Sequence, residues 1–84
     1  MYYVYFLENK AKNYLYVGST ASLKKRFVEH NNGKNQSTKS YIPLVLSAYI
    51  AVPTEKQARS LEKYLKTGSG KAILKKRILQ NEAF

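Results

Sequence analysis

Apolar and polar positions along the chain change period several times, and each change marks an element. Tyr2 to Leu7 is an unbroken run of strand-forming residues, closed by Glu8-Asn9-Lys10. Tyr14 to Gly18 repeats that character after a short polar stretch, which predicts an antiparallel hairpin. With Tyr5 set opposite Tyr16, alternation puts Tyr3, Tyr5, Leu7, Tyr14, Tyr16 and Gly18 on one face. Val4, Phe6, Leu15 and Val17 fall on the other. The second face is aliphatic and belongs in a core. The first is rich in phenols, which can half-bury a ring and keep an OH available.

The period then changes to a helical one. Ser22 to His30 predicts a helix, with Ser19, Thr20 or Ser22 able to cap it. Its stripe would be Leu23, Arg26, Phe27 and His30, of which two are polar. Either Leu23 and Phe27 alone are buried, with Arg26 and His30 marginal, or Arg26 and His30 line a cleft beside the core. Asn31 to Ile42 is polar and long enough for a functional loop. Leu44 to Ala51 predicts a third, buried strand after Pro43. Thr54 and Gln57 form a capping-box pair that opens a second helix, running to about Lys66 and stopping at Gly68. Ser69 can cap a last helix reaching about Leu79.

On the second helix, Ala58, Leu61 and Leu65 make a narrow apolar stripe, and Glu62 falls beside it. A carboxylate at the border of a core is costly unless it is paired or binds a metal. A salt bridge to Lys66, four residues on, satisfies it as well as a metal does. Gly68-Ser69-Gly70-Lys71 lacks Walker spacing and reads as a helix break and cap. Lys75-Lys76-Arg77 reads as a solvated or phosphate-facing helix surface.

Composition narrows the chemistry. The 84 residues fit one domain, 1–84, and the hydrophobic share of 44% is that of a globular chain rather than a disordered one. There is no Cys and no Asp, and there is one His. These absences exclude disulfides, thiolate zinc sites, EF-hand loops and a two-His metal site within the chain. Lys and Arg number 15 against 5 acids, and the resulting net charge of +10 favours polyanions, above all nucleic acid. No membrane span or signal pattern is visible, and the default expectation is a cytoplasmic location.

Tyr3-Val4-Tyr5, Tyr16-Val17-Gly18, Arg26, His30 and Glu62, in that order and spacing, resemble the GIY-YIG nuclease superfamily. The first triplet stands in for Gly-Ile-Tyr and the second for Tyr-Ile-Gly. Arg26 follows the second triplet's glycine by eight residues, as the family's arginine does. The segment Tyr16 to Arg26 also looks like the N-terminal nuclease domain of the bacterial UvrABC excision-repair enzyme. The likeness runs from Tyr2 to about Leu79 and is nearest to the small stand-alone bacterial branch.

The resemblance implies an α/β protein of the α+β kind, a three-stranded antiparallel sheet flanked by about three helices in the order β-β-α-β-α-α. It also implies metal-dependent hydrolysis of a DNA phosphodiester, with single-strand nicking and a role in DNA repair or mobile-DNA handling. By the same resemblance Glu62 would be the only protein ligand of one Mg²⁺ or Mn²⁺. Arg26 would hold the scissile phosphate. Tyr16 would orient or deprotonate the attacking water with Tyr5 in support, and His30 would donate a hydrogen bond or relay a proton. A phenol's ordinary pKa near 10 suits base chemistry poorly without a nearby cation, so His30 competes with Tyr16 for that role.

Tyr3 replaces the glycine of the first triplet. The family's late asparagine has no secure counterpart, Asn81 lying past the last predicted helix. No separate targeting domain is expected, which leaves DNA selection to the basic surface, the Asn31 to Ile42 loop, a targeting protein partner or a homodimer. The rival expectation is a non-catalytic basic module that keeps the nuclease fold and binds nucleic acid without turnover. A basic structural protein of the ribosome is a third, and it predicts RNA binding without a metal effect.

Overall fold

The computed structural model of the chain describes residues 1–79. Asn81 lies outside the described residues. The hairpin expected at the N-terminus is present as β1 (Tyr2–Asn9) and β2 (Tyr14–Thr20). Between them, Asn9 caps a single 3₁₀ turn, and Asn13 closes it in the left-handed region at φ 52°. Asparagine tolerates that conformation better than most side chains. The remaining elements are α1 (Leu23–Asn31), a 3₁₀ turn at Lys39–Tyr41, β3 (Val45–Val52), α2 (Glu55–Leu65) and α3 (Gly68–Ile73), the last continuing as a π turn over Leu74–Ile78. The order β-β-α-β-α-α and the three-stranded antiparallel sheet are those expected.

The strand order is β2-β1-β3, so β1 is central and paired on both edges. Its middle residues Val4, Tyr5, Phe6 and Leu7 are all at most 1% exposed, so both faces of the sheet are covered there. On the aliphatic face, Val4, Phe6 and Val17 pack with Ala58 and Leu65 of α2 and with Leu74. On the phenolic face, Tyr5 and Leu7 pack with Leu44, Leu23 and Phe27 in a second small core.

Two strand expectations are corrected. Tyr5 pairs with Gly18 and Leu7 with Tyr16, so the hairpin register differs by two residues from the one that sets Tyr5 opposite Tyr16. An even offset leaves every side chain on its assigned face. Strand β3 is not buried: it is an edge strand, alternately exposed and half-buried along its length. A bulge between Phe6 and Leu7 realigns its partners, so that Tyr49 faces Tyr5 while Leu46 faces Leu7.

The capping box of α2 forms as expected, with Thr54 Oγ1 accepting from the Gln57 amide at 3.2 Å and Gln57 Oε1 accepting from the Thr54 amide at 3.2 Å. The next cap is Thr67 rather than Ser69; its hydroxyl accepts from the Gly70 amide at 3.1 Å. Gly68 therefore sits in the first turn of α3. The tight corner between α2 and α3 depends on Gly70, which is buried. A Cβ there would meet the Tyr64 carbonyl oxygen at 2.0 Å and Leu65 Cα at 2.7 Å, both backbone atoms.

Backbone cannot yield as a side-chain tip can, so Gly70→Ala is expected to cost at least about 2 kcal/mol through overpacking. In a domain this small that is a fall in Tm of roughly 10 °C, measurable by thermal unfolding. An unchanged Tm would mean that the corner relaxes without cost.

Candidate active site

Four elements bring Tyr5, Tyr16, Arg26, His30 and Glu62 to one end of the hairpin. Strand alternation places Tyr5 and Tyr16 on the same face, with ring centroids 6.1 Å apart. The Tyr5 side chain crosses Gly18. A Cβ at that position would lie 2.6 Å from the Tyr5 hydroxyl and 2.8 Å from a carbon of the Tyr16 ring. The glycine of the second triplet is thus a spatial requirement: only a residue without a side chain lets the two phenols converge.

Helix α1 closes the phenolic face. His30 is 0% exposed, and its ring lies 5.0 Å from the Tyr16 ring. His30 Nε2 is 2.9 Å from the Tyr5 hydroxyl, and Nδ1 is 2.7 Å from Thr38 Oγ1. Thr38 is itself fully buried. Burial, then the charge of Arg26, pushes the His30 pKa below its ordinary value, and the weaker opposing pull of Glu29 does not reverse this. The ring is therefore neutral, with one N–H and one lone pair. Burial first, then Tyr16 and the charge of Glu62, raises Tyr5 well above the ordinary phenol range, while Arg26 pulls the other way. Tyr5 thus keeps its proton. We assign its O–H as the donor to Nε2, which leaves Nδ1–H to donate to Thr38.

This chain settles how α1 uses its polar stripe. His30 sits in the core rather than at its margin, and Arg26, whose charge acts on the Tyr5 hydroxyl, has its side chain 43% exposed. Arg26 Nε contacts Glu29 Oε1 at 3.5 Å. An exposed pair of that length holds the guanidinium weakly and leaves it available to an anion.

Glu62 reaches the site from α2, where it meets the edge strand β2. Ser19 Oγ donates to Oε1 at 2.5 Å, and Lys66 Nζ donates to Oε2 at 2.7 Å. The Lys66 bridge is the partner that i,i+4 spacing offers. Burial acts most strongly on the Glu62 carboxyl and favours the neutral acid. The hydrogen bonds from Lys66 and Ser19, with the charges of Lys66 and Arg59, together outweigh it and hold the pKa below its ordinary value. Glu62 is therefore an ionised, partly exposed carboxylate with a hydroxyl beside it. Among the described residues no three His, Asp or Glu side chains converge. One carboxylate with an adjacent oxygen donor fits a hard cation that keeps most of its waters, and does not fit an ion needing a full protein cage.

Thr38, Ser19 and Asn31 were not legible as site residues. Thr38 and Asn31 stand in or beside the polar loop, where nothing in the hydropathy pattern separates a buried hydroxyl from a solvated one. The available signal was His30 itself, since a buried imidazole needs a partner on each nitrogen. The loop is tied down. Asn31 Oδ1 accepts from the Leu44 amide at 2.7 Å, and Asn31 Nδ2 donates to the Leu44 carbonyl at 2.9 Å. The Tyr14 and Tyr41 rings stack at 3.7 Å, and Asn9 Nδ2 donates to the Tyr41 carbonyl at 2.8 Å.

A buried neutral His30 carries a pH signature. The unfolded imidazole, with a pKa of about 6.5, binds its proton more tightly than the folded one, so acid favours unfolding. Tm is expected to be level above neutrality and to fall as pH drops below about 6.5, before the carboxylates titrate. A His30→Gln variant, less stable throughout, is expected to lose that slope. A level wild-type Tm down to about pH 5 would place a charged or exposed ring at this position.

A family model of the GIY-YIG catalytic domain matches residues 1–77. No curated protein and no solved structure matches the chain. With the matched span covering both tyrosine triplets, Arg26, His30 and Glu62, the chain belongs to the GIY-YIG nuclease superfamily.

Proposed function

We propose that the protein is a metal-dependent DNA endonuclease that nicks one strand by phosphodiester hydrolysis. One observation carries this reading: two phenols, a guanidinium, a buried neutral imidazole and an ionised carboxylate from four elements share one locality around Gly18. A fold needs none of these chemical types there for stability, and burying Tyr5 against His30 costs desolvation that a hydrocarbon pair avoids.

The roles follow from what each side chain can reach. Arg26 binds non-bridging phosphate oxygens, and its fixed charge offsets the charge gained in the transition state. Tyr16, partly exposed, orients the attacking water through its hydroxyl. Tyr5 stays a phenol and acts as a hydrogen-bonding support. His30 has both nitrogens engaged away from solvent, so it positions Tyr5 instead of meeting the water. Glu62 is the residue that would hold a divalent cation, with Ser19 beside it and Lys66 released toward solvent. Such a cation, when bound, supplies charge neutralisation at the phosphate and lowers the pKa of bound water. The net charge of +10 supports DNA as the polyanion.

The Glu62–Lys66 bridge supports the second reading, a non-catalytic module that binds nucleic acid. In that case Glu62 is a structural ion-pair member. The two readings separate in one assay. Purified protein is incubated with supercoiled plasmid in Mg²⁺, in Mn²⁺ and in EDTA. The expected result is nicked circles with metal only, and a loss of at least about a hundredfold in rate for Glu62→Gln. That variant should melt within about 1 kcal/mol of wild type, because Gln keeps the shape and its amide oxygen can still accept from Ser19. Plasmid bound but left uncut under every metal condition establishes the binding module.

Gly18→Ala offers an independent check on the convergence of the phenols. The added methyl group collides with the Tyr5 hydroxyl and the Tyr16 ring, so nicking is expected to fall by about tenfold or more with DNA binding retained. Nicking at the wild-type rate would mean that the position of Tyr5 does not matter to the reaction.

A further inference from the structure

Beside α1 lies an open groove of about 890 Å³. Its apolar lining is Tyr3 of β1, Tyr49 of β3, and Leu23 and Val28 of α1. The two tyrosine rings meet edge to face at 5.8 Å. Tyr49 is 53% exposed and Val28 48%, values high for large apolar groups that serve only a core. Lys24, Lys25 and Lys34 stand around the groove. The one carboxylate lining it, Glu29, sets a single negative charge against these three lysines.

The groove adjoins the candidate active site. Tyr49 lies opposite Tyr5 in the β1–β3 register, and Tyr3 shares the face of Tyr5 two residues away. Helix α1 is the wall between the two, and Glu29 touches both.

We propose that this groove binds an unpaired DNA segment, with a base stacked on Tyr49 and the flanking phosphates on Lys24, Lys25 and Lys34. The inference rests on the reading of the protein as one that acts on DNA, and it adds that the DNA presents single-stranded character beside the cut. A base offers a flat apolar face to the tyrosine ring and polar edges to water and to the phenolic OH. A duplex keeps its bases inside the stack and offers the groove only phosphates, which leaves Tyr49 and Val28 without a partner. A second copy of the chain is a poor occupant. It brings a further charge of +10, and symmetric contact through this groove sets the same three lysines against each other.

The test is binding without chemistry. Fluorescence anisotropy in EDTA compares a labelled single strand with a blunt duplex of equal length, for wild type, Tyr49→Ala, Tyr49→Phe and Val28→Glu. Wild type is expected to prefer the single strand. Tyr49→Ala should weaken single-strand binding on the order of tenfold and leave duplex binding within about twofold, since stacking is lost and the phosphate contacts are not. Tyr49→Phe should keep the preference. Val28→Glu, on the opposite wall, should lose it even where Tyr49→Ala fails to fold. A strand preference that is absent in wild type, or unchanged in Tyr49→Ala and Val28→Glu, overturns the proposal. So does sedimentation showing a wild-type dimer that Tyr49→Ala dissociates, which assigns the groove to a second copy. Because no cutting is read, plasmid nicking that survives a failed groove test leaves the nuclease reading intact. Strand preference that tracks Tyr49 in a protein that never nicks leaves the groove intact and removes the nuclease reading.

Discussion

Everything in this small domain hangs on β1 being buried from both sides. Four successive residues, Val4 to Leu7, alternate between two cores, so one strand anchors α2 and α3 beneath it and α1 above it. A domain of this size cannot build one large core. Here it builds two thin ones that share a strand. The lower is aliphatic and holds the helices. The upper contains a phenol and an imidazole at its centre, and these polar groups are tolerated because each has a hydrogen-bond partner. The site is therefore not an addition to the upper core. It is much of what the upper core is made of, and this ties the geometry of the candidate site to folding in a way that a surface site would not.

That coupling explains which features the sequence made legible. The two faces of the hairpin were readable because alternation has a period of two, and the same period hid the register. Setting Tyr5 opposite Tyr16 or opposite Gly18 leaves the faces identical, and only the three-dimensional crowding at Gly18 distinguishes them. The third strand was readable as a strand but not as an edge. The run from Leu44 to Ala51 is apolar almost throughout, and such a run carries no mark of which residues lack cover. Among the described residues β3 pairs with β1 alone, and Tyr49 and Val45 are its clearest departures, 53% and 64% exposed.

The five candidate site residues stood out in the sequence through the order and spacing that carry the family resemblance. Their connections did not. The Thr38–His30–Tyr5 chain joins residues up to 33 apart in sequence. It passes through a loop whose composition says only that it is polar. Likewise the Glu62 carboxylate was foreseeable as a group needing a partner, whereas Ser19 as one of its donors depends on how α2 meets β2.

Strand β3 has one more consequence, and it concerns colloidal behaviour. Its sequence, VLSAYIAV, carries no charge, and one of its edges is unpaired among the described residues, with Pro43 and Pro53 standing just outside its ends. Uncharged, β-prone segments of this length are the ones that zip together between copies. What holds copies apart is long-range repulsion between chains of charge +10. A polyanion that neutralises this charge also removes the barrier, and concentrated salt screens it. Crowded on a nucleic-acid strand, the protein meets its neighbours with the repulsion gone and the sticky edge bare.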